Sequence, residues 1–402
     1  MSCQYLLDSD IYVVNKIDSY VDKELSYMSY RNAYILPNIT MKEKTAGGIV
    51  TEGMEYVENS ALINGHGCSY DFRHYRTTKK KAIYLGVFIN VWGHFITDCI
   101  SRLWFLSSHF FEEYLDYDLV YVPCIGFEWE ENYKSVLEIL GICLENFVPI
   151  NDIVQYSEII VPDKSFYLEM GKGYFYTESY RKMINDIRLY SKKYYCENSK
   201  YRKVYFTYSQ WLKWRSVGEV GVERYFRKQG YCLVAPETLS FEEQLQILAN
   251  CESFASTTGS CAHNSVFLRD DCEVILIPRR YYMTGYQEAL NQLWKHNVVY
   301  ISCDLYVMTD LYFYYISSEL KRYFHNCPKM TKREIRKIKR QFWLYLKLGA
   351  EENDVGEIQC DRYNQLVQKL GLKIPKKIKV SRLAKRLRLY RLISYVFNQY
   401  LH

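Results

Sequence analysis

The sequence predicts an α/β protein with two Rossmann-like domains and a basic helical C-terminal tail. Strand patterns alternate with helix patterns, the alternation pauses near residue 195 and then resumes, and basic residues are concentrated after residue 320. Strands that alternate with helices usually form a parallel sheet covered by helices on both faces. We therefore expect domains at residues 1–195 and 196–320 that face each other across a cleft, followed by a tail at residues 321–402.

The individual elements follow from short apolar runs and the residues between them. Before residue 80 the runs are brief and β-like, as in "NAYIL". The first series has strands at 82–89, 119–123 and near 159, and helices at 94–111, 130–141 and about 177–194. The second series has strands at 203–208, 231–235, 253–257, 273–277 and 298–302. Ser240 and Glu243 form a capping-box pattern that starts one of the intervening helices.

The composition is typical of a folded protein in a reducing compartment. The 402 residues are enough for two domains with substantial cores, and 49% apolar and 17% aromatic residues argue against disorder. The 13 cysteines include no C-x-x-C pair and no Cys/His cluster at zinc spacing, which indicates reduced thiols. No secretory-signal pattern is evident, and the most apolar window, 82–96, is too short to span a bilayer. We therefore expect a cytoplasmic protein.

The charge of the chain is unevenly distributed. Residues 321–402 carry 21 Lys and Arg against 6 Asp and Glu, a net +15, which leaves −9 for residues 1–320 within the total of +6. Within 376–402, apolar residues recur at helical spacing with basic residues on the other faces, as in helices that lie on anionic membranes. A helix packed on the protein body with a solvated basic face is the alternative. We expect peripheral contact with the inner face of the cell membrane.

Several common catalytic and cofactor motifs are absent. The sequence has no P-loop, no G-x-G-x-x-G after a strand, and no H-E-x-x-H, G-x-S-x-G or protein-kinase pattern. Two D-x-D strings occur, at 8–10 and 116–118. Paired aspartates can hold a divalent ion against a diphosphate, but neither string follows a strand and Asp is a common turn residue. We therefore expect no metal and no cofactor.

The stretch "VWGHFITDCISRLWFL" at 91–106 places polar residues in an apolar, aromatic helix pattern. At 100° per residue, His94, Asp98 and Arg102 fall within one stripe roughly 80° wide. A helix that faces open water normally carries more Lys, Glu or Gln. The stripe therefore faces either a cleft between domains or, for His94 and Asp98, the backbone N–H groups at the start of the helix.

The stretch "SFASTTGSCAHNSVFL" at 253–268 predicts a strand, a turn of small residues and the start of a helix. Backbone N–H groups at such a junction suit a phosphate or diphosphate. Ligands of open α/β sheets also bind outside the C-terminal ends of the strands. A plain tight strand-to-helix turn accounts for the pattern equally well.

Four motifs in order resemble those of glycosyltransferase family 61. They are "GHFITD", "KVYFTYSQWLKWRSVGE", "PETLSFEEQ" and "TGSCAHNSVF", within roughly residues 80–280. The resemblance implies the two-domain GT-B architecture and inverting transfer of a sugar from a nucleotide sugar to a glycan, in capsular or surface polysaccharide synthesis. Two positions depart from the family: Thr258 stands where it has histidine, and Gly218 where it commonly has asparagine.

The resemblance also assigns roles. The N-terminal domain would bind the acceptor, and the C-terminal domain the nucleotide sugar. His94 and Asp98 are candidates for the base that takes the proton of the acceptor hydroxyl, and the sequence leaves open which of them acts. The candidates for donor binding, which would stabilise the leaving diphosphate, are Arg215, Glu219, Thr258, Gly259, Ser260, His263 and Asn264.

Two other functions remain open at this point. One is a non-catalytic polysaccharide-binding or scaffold protein of the same fold, and the other is a polysaccharide pyruvyl transferase. A nucleic-acid partner is not expected, because the body is acidic and no base-reading module is visible. The expected partners are a nucleotide sugar, a glycan or lipid-linked glycan acceptor, and an anionic membrane surface.

Sugar transfer is expected to continue without a metal ion. The leaving diphosphate would be stabilised by helix N–H groups and cationic side chains. Initial rates in excess EDTA should therefore equal those measured without chelator. Loss of turnover on chelation, restored by Mn²⁺ or Mg²⁺, would show that one D-x-D string binds a metal.

Overall fold

The computed structural model describes residues 2–7, 17–39, 47–61, 70–209, 216–279, 283–294, 296–308, 311–352 and 367–372. Its elements confirm the α/β class. The strands are β1 Ser2–Leu6, β2 Tyr27–Arg31, β3 Tyr34–Leu36, β4 Gly48–Val50, β5 Arg76–Phe88, β6 Asp118–Pro123, β7 Phe147–Pro149, β8 Val154–Pro162, β9 Phe166–Glu169, β10 Gly173–Tyr176, β11 Lys203–Phe206, β12 Ser216–Val217, β13 Cys232–Val234, β14 Ser253–Thr257, β15 Glu273–Ile277, β16 Asn297–Ile301, β17 Asp304–Met308 and β18 Leu311–Tyr314.

Most helices form where the sequence predicts them. The α-helices are α1 Trp92–Thr97, α2 Glu131–Ile139, α3 Glu178–Ser191, α4 Glu219–Lys228, α5 Phe241–Ala249, α6 Ser260–His263, α7 Gly285–Asn291, α8 Ser318–Tyr323 and α9 Lys332–Glu352. Short 3₁₀ helices occupy Glu58–Ser60, Cys99–Ser107, His109–Tyr114, Leu144–Asn146, Lys192–Tyr194, Pro236–Thr238 and Asn264–Phe267. The capping box is confirmed: the Ser240 hydroxyl accepts the Glu243 N–H at 3.2 Å, and the Glu243 carboxylate accepts the Ser240 N–H at 2.8 Å. This exchange fixes the start of α5.

The first large sheet is mixed and not wholly parallel. Its order is β4-β3-β8-β5-β6-β7, with β2 also paired to β8. Strands β5 to β8 run parallel, whereas β2 and β3 pair with β8, and β4 with β3, in the antiparallel sense. Strands β2 and β3 lie one after the other along β8, with Tyr27 opposite Pro162 and Ile35 opposite Val154. The predicted parallel arrangement is therefore correct only for the β5–β8 part.

The second large sheet is parallel throughout, in the order β1-β16-β15-β14-β11-β13. The second alternating series predicts this parallel arrangement. Numbered along the chain, β11, β13, β14, β15 and β16 lie in the order 2-1-3-4-5, which is one of the two common doubly wound orders. One strand departs from the predicted division of the chain, because β1 pairs with β16 and lies at the edge of this sheet. A single cluster of buried apolar side chains, including Ile83 of β5 and Val274 of β15, is continuous between the two sheets.

The helix predicted at 94–111 is wrong beyond its first turns. It is α-helical only over Trp92–Thr97 and then becomes 3₁₀-helical. The Thr97 and Ser101 hydroxyls bond the carbonyls of Gly93 and Asp98, at 2.9 and 2.6 Å, and such local bonds compete with the α-helical ladder. As a result Arg102 leaves the predicted stripe and is buried elsewhere, where it donates to the Pro162 and Asn59 carbonyls.

Within the described residues, no helix combines the length and apolar character that crossing a membrane requires. The predicted basic amphipathic helix at 376–402 lies outside the described residues.

Candidate functional site

A histidine–aspartate pair lies on α1, as the i, i+4 spacing predicts. His94 Nδ1 is 2.7 Å from Asp98 Oδ2. The Asp98 side chain is only 5% exposed, whereas that of His94 is 39% exposed. Because the buried carboxylate accepts the Nδ1–H, Nε2 is the ring nitrogen left for an external partner, an assignment that follows from the hydrogen-bond partners. The pair therefore resembles a carboxylate that orients an accessible imidazole.

A tyrosine that sequence reasoning did not select joins this pair. Tyr286 on α7 directs its hydroxyl at Asp98 Oδ2, 3.1 Å away, and lies 3.4 Å from His94 Nδ1. Its ring meets the His94 ring edge to face at 5.5 Å between centroids. The cluster is thus completed by a residue that follows β15 of the second sheet.

The two halves of the chain touch where α1 meets α6. A Cβ atom at residue 93 would lie 2.8 Å from His263 Nδ1 and 2.9 Å from Ser260 Oγ, so only glycine permits this approach. Next to it, the Trp92 indole N–H donates to the Asn264 side-chain oxygen at 3.0 Å. The predicted catalytic helix and the predicted donor-binding loop are therefore in direct contact.

The loop before α6 has the geometry of an anion-binding turn. Gly259 has φ +126° and ψ −165°, a conformation that favours glycine. The Cys261 N–H is occupied, because it donates to the Tyr208 hydroxyl at 2.7 Å. Within the described ranges, the backbone N–H groups of Gly259 and Ser260 have no acceptor, and both residues are partly exposed. These two donors are available to an external oxygen.

Arg279, just after β15, brings a positive charge to the same loop. A Cβ at Gly259 would lie 2.9 Å from its Nη1 atom. The guanidinium stacks on the Tyr208 ring, with Cζ 3.6 Å from the ring centroid, and the Arg279 N–H donates to the Thr258 hydroxyl at 3.0 Å. Because the arginine is held by its backbone and by stacking, its charge is fixed in position before any ligand arrives.

Two buried carboxylates on α4 lie within electrostatic range of each other. Glu219 is 0% exposed, and within the described structure neither of its carboxylate oxygens has a hydrogen-bond partner. Burial raises the pKa of Glu219 to about 7, repulsion by Glu223 adds to the rise, and the charge of Arg279 opposes it. The Glu223 carboxylate accepts the Thr207 hydroxyl, and burial also raises its pKa. Arg279 is thus the nearby positive charge that favours the ionised form of Glu219.

His263 is a buried neutral imidazole. It is 7% exposed, and burial followed by repulsion from His94 lowers its pKa to about 3. An imidazole that stays neutral contributes no positive charge to a diphosphate. It packs against Gly93 and against the Tyr286 ring, 6.1 Å away between centroids. In this structure its role is therefore to pack at the contact between the two halves.

A cleft of about 380 Å³ opens between the halves beside this contact. Residues of α1 and of the following helices line one side, and the donor loop with Tyr208 lines the other. The lining residues are Asn90, Val91, Trp92, Glu130, Asn132, Tyr133, Tyr208, Pro236, Glu237, Gln244, Ser260, Cys261 and Asn264. His94 and Asp98 do not line it, although Gly93, between Trp92 and His94, contacts Ser260. The cleft and the His94–Asp98 pair thus lie next to each other at the junction, which is the contact between the two halves of the chain.

The remaining predicted donor-binding residues occupy different environments. Thr258 is 5% exposed, and its N–H donates to the Ile277 carbonyl at 2.8 Å. It therefore links the C-terminal ends of β14 and β15. Asn264 is 1% exposed and is engaged by Trp92 and the Cys261 carbonyl. Arg215 lies outside the described residues. Of the predicted set, Ser260 and Asn264 line the cleft, and Gly259 and Ser260 are partly exposed.

Sequence reasoning missed three residues of this junction. Arg279 had a usable signal, since it follows the apolar strand "EVILI" at the end where ligands of parallel sheets bind. Tyr208 ends the strand pattern "KVYFTY" in the same way. Tyr286 had no such signal, because only the packing of α7 brings it to Asp98.

The D-x-D string at 116–118 leads into a strand, as its turn interpretation predicts. Asp118 begins β6 and forms an ion pair with Lys80 at 3.0 Å. The string at 8–10 lies outside the described residues. Over the described parts of the chain, no three His, Cys, Asp or Glu side chains are grouped to hold a metal ion.

The contact between α1 and the Gly259 loop falls within a segment that is similar to a known family. Residues 92–275 match the Glycosyltransferase 61 family model. The matched segment starts at Trp92 and ends within β15, so it includes the His94–Asp98 pair and the whole Gly259–Asn264 loop. The Glycosyltransferase 61 match supports the resemblance seen in the sequence and indicates a glycosyltransferase. No protein with curated annotation matches the chain.

Glu219 should make the stability of the protein depend on pH. A carboxyl group with a folded-state pKa near 7, above its ordinary 4.5, stabilises the fold below pH 4.5, and this contribution is lost as the pH rises through 7. Glu219→Gln removes the ionisation. The free energy of unfolding of the variant relative to the natural protein should therefore rise between pH 5 and pH 8, by on the order of 2 kcal/mol.

Denaturant unfolding at several pH values measures this difference. The exposed Glu138 on α2 provides the control, because Glu138→Gln removes an exposed carboxylate and leaves the buried carboxylates in place. A Glu219→Gln difference that is the same at pH 5 and pH 8 would show that Glu219 does not titrate in this range.

Proposed function

We propose that this protein is an inverting glycosyltransferase that moves a sugar from a nucleotide-sugar donor to a glycan acceptor. The observation that carries the proposal is the direct contact between α1, with its His94–Asp98 pair, and the Gly259 loop, with its free N–H groups and Arg279. Base and anion-binding groups side by side are what transfer from a diphosphate donor requires. The Glycosyltransferase 61 match, which covers His94, Asp98 and the Gly259 loop, supports it.

His94 is the proposed base. Its Nδ1–H is bound to Asp98, so Nε2 is free to accept the proton of an acceptor hydroxyl, and its partial exposure lets an acceptor approach. Asp98 is too buried to meet a substrate directly. It orients the imidazole and stabilises the positive charge that develops on the ring as the proton moves.

The leaving diphosphate is proposed to bind at the Gly259 loop. The N–H groups of Gly259 and Ser260 would donate to its oxygens, and the Arg279 guanidinium would offset the charge that develops as the sugar leaves. The loop follows β14 and the arginine follows β15, so both lie at the C-terminal edge of the parallel sheet. Because these donors are already fixed, the proposal needs no metal ion and no cofactor.

The wider setting is proposed from the family resemblance. The N-terminal half would bind the acceptor and the C-terminal half the donor across a GT-B cleft, in capsular or surface polysaccharide synthesis. The cleft of about 380 Å³ between the halves supports this division, because residues of both line it.

Attachment to the inner face of the membrane is proposed from charge. Five cations of α9 are exposed, and at 100° per residue they cover an arc of roughly 120° that also contains the exposed Trp343. They are Lys332, Arg333, Arg336, Lys339 and Arg340, and within the described parts of the chain none of them forms an ion pair. A cationic face with a tryptophan suits an anionic membrane surface.

Removal of the Asp98 charge should slow transfer without loss of the fold. Asp98→Asn keeps the size of the side chain and abolishes the carboxylate that orients His94. Turnover should fall by roughly 10²-fold or more, the scale of a lost general base, while the Kd of the donor changes little. Nucleotide-sugar turnover, with and without acceptor, and calorimetric donor binding measure the two quantities.

Asp186→Asn is the matched control, since Asp186 is an exposed carboxylate on α3 and its loss should leave turnover unchanged. Near-normal turnover of the Asp98→Asn protein would contradict the assignment of His94, oriented by Asp98, as the base. The absence of any nucleotide-sugar hydrolysis or transfer by the natural protein would favour a polysaccharide-binding protein over an enzyme.

Deletion of residues 376–402 should weaken membrane binding. The truncated protein should sediment less with vesicles that contain anionic lipid, and the difference should be larger at low salt, because surface charges are screened beyond about 8–10 Å at physiological ionic strength. Arg336→Gln/Arg340→Gln tests the α9 face separately. Equal sedimentation of the full-length and truncated proteins would contradict a membrane role for the tail.

A further inference from the structure

The hydrogen bonds at Asp98 depend on one donor from outside α1. Three donors approach Asp98 Oδ2: His94 Nδ1 at 2.7 Å, the Thr97 hydroxyl at 3.1 Å and the Tyr286 hydroxyl at 3.1 Å. The first two belong to the same helical segment as Asp98. Tyr286 comes from α7, nearly 190 residues later in the chain.

A count of the hydrogens separates these donors. The Thr97 hydroxyl has one hydrogen and lies closer to the Gly93 carbonyl, at 2.9 Å, than to Asp98. Tyr286 also has one hydrogen. Its other neighbours are His94 Nδ1, which is itself a donor toward Asp98, and the Tyr174 hydroxyl, which can donate to the Tyr286 oxygen. A charged carboxylate is also the stronger acceptor. The Tyr286 hydrogen therefore goes to the carboxylate. Among the described side chains, Tyr286 is thus the one whose hydroxyl hydrogen is available to Asp98.

Tyr286 is held firmly by the N-terminal half. Its ring lies 4.0 Å from that of Tyr174, on the β9–β10 hairpin, and is stacked on Phe166 at 6.1 Å. The neighbouring Gly285 allows this contact, because a Cβ there would lie 2.5 Å from the Tyr174 ring. At the C-terminal end of α7, the Tyr176 hydroxyl donates to the Gln292 carbonyl at 2.8 Å. The hairpin thus fixes the segment from which Tyr286 projects.

We propose that Tyr286 is a positioning residue for the His94 base. Its hydroxyl holds Asp98 Oδ2 in register with the imidazole and draws off part of the carboxylate charge, so that Nδ1–H stays bound to Asp98 and Nε2 stays directed away from it. This role rests on the proposed function. It goes further because residues from both halves of the chain would then position the base.

Other titratable groups also face the pair, and none of them replaces Tyr286. From α6, His263 is neutral, because burial lowers its pKa to about 3. From α3, burial raises the pKa of Tyr180, whose hydroxyl donates to the Ile96 carbonyl. Lys164, between β8 and β9, has a pKa lowered to about 7 by burial, and its charge attracts that of Asp98. All three remain in place when the Tyr286 hydroxyl is removed.

Tyr286→Phe is the decisive variant, since phenylalanine keeps the stack on Tyr174 and Phe166 and removes only the hydroxyl. A carboxylate with one donor fewer stabilises the imidazolium more strongly. Turnover near neutral pH should fall by roughly 10-fold or more, the scale of one hydrogen bond to a charged group, with the KM of the donor nearly unchanged. The acid limb of the pH–rate profile should move to higher pH.

NMR titration of the His94 ring in the free protein tests the same inference without activity. The midpoint of this titration should move to higher pH in Tyr286→Phe. Tyr176→Phe is the matched control, because it removes a tyrosine hydrogen bond to the same α7 segment without touching Asp98. In this control both the His94 titration and the pH–rate profile should stay as in the natural protein.

An unshifted His94 titration in Tyr286→Phe, or an equal shift in Tyr176→Phe, would overturn the inference. If Tyr286→Phe does not fold, Gly285→Ala displaces the same segment from Tyr174 while retaining the hydroxyl, and the same upward shift is expected. A natural protein that transfers no sugar counts against the proposed function alone, since the titration still decides the role of Tyr286.

Discussion

The close packing of α1 against α6 at Gly93 is the constraint on which the rest of the junction depends. No side chain separates the two helices at this point, because His263 and Ser260 occupy the space that a Cβ would need. This approach lets Trp92 reach Asn264 and places the accessible imidazole of His94 beside the loop of the other half. A wider spacing would break both arrangements together, so one glycine sets the distance between the two chemical groups.

Burial controls the charges around this contact. His263, Glu219 and Arg279 all lie near the loop, but desolvation keeps the histidine neutral and raises the pKa of the glutamate to about 7, whereas the arginine retains its charge. The positive charge that remains therefore lies on the side of the junction where the loop N–H groups are free. Such an arrangement favours the binding of an anion there.

Features encoded locally could be predicted from the sequence, and those that depend on distant packing could not. The strands 253–257 and 273–277 are short buried apolar runs, and the His94–Asp98 pair follows from helical spacing, so both were predictable. The break of the helix after Thr97 was missed because periodicity does not register side-chain bonds to the backbone. Tyr286 was missed because only the hairpin contact with α7 brings it to Asp98.

The pairing of β1 with β16 has a consequence for synthesis of the protein on the ribosome. Residues 2–6 are synthesised nearly 300 residues before their partners, residues 297–301. At about 5–20 residues per second this delay is roughly 15 to 60 s. During that time the first strand has no sheet to join, although the β5–β8 strands already have all their partners. Strand β1 thus reaches its final place only after β16 has been synthesised, and its pairing then ties residues 2–6 to the second sheet.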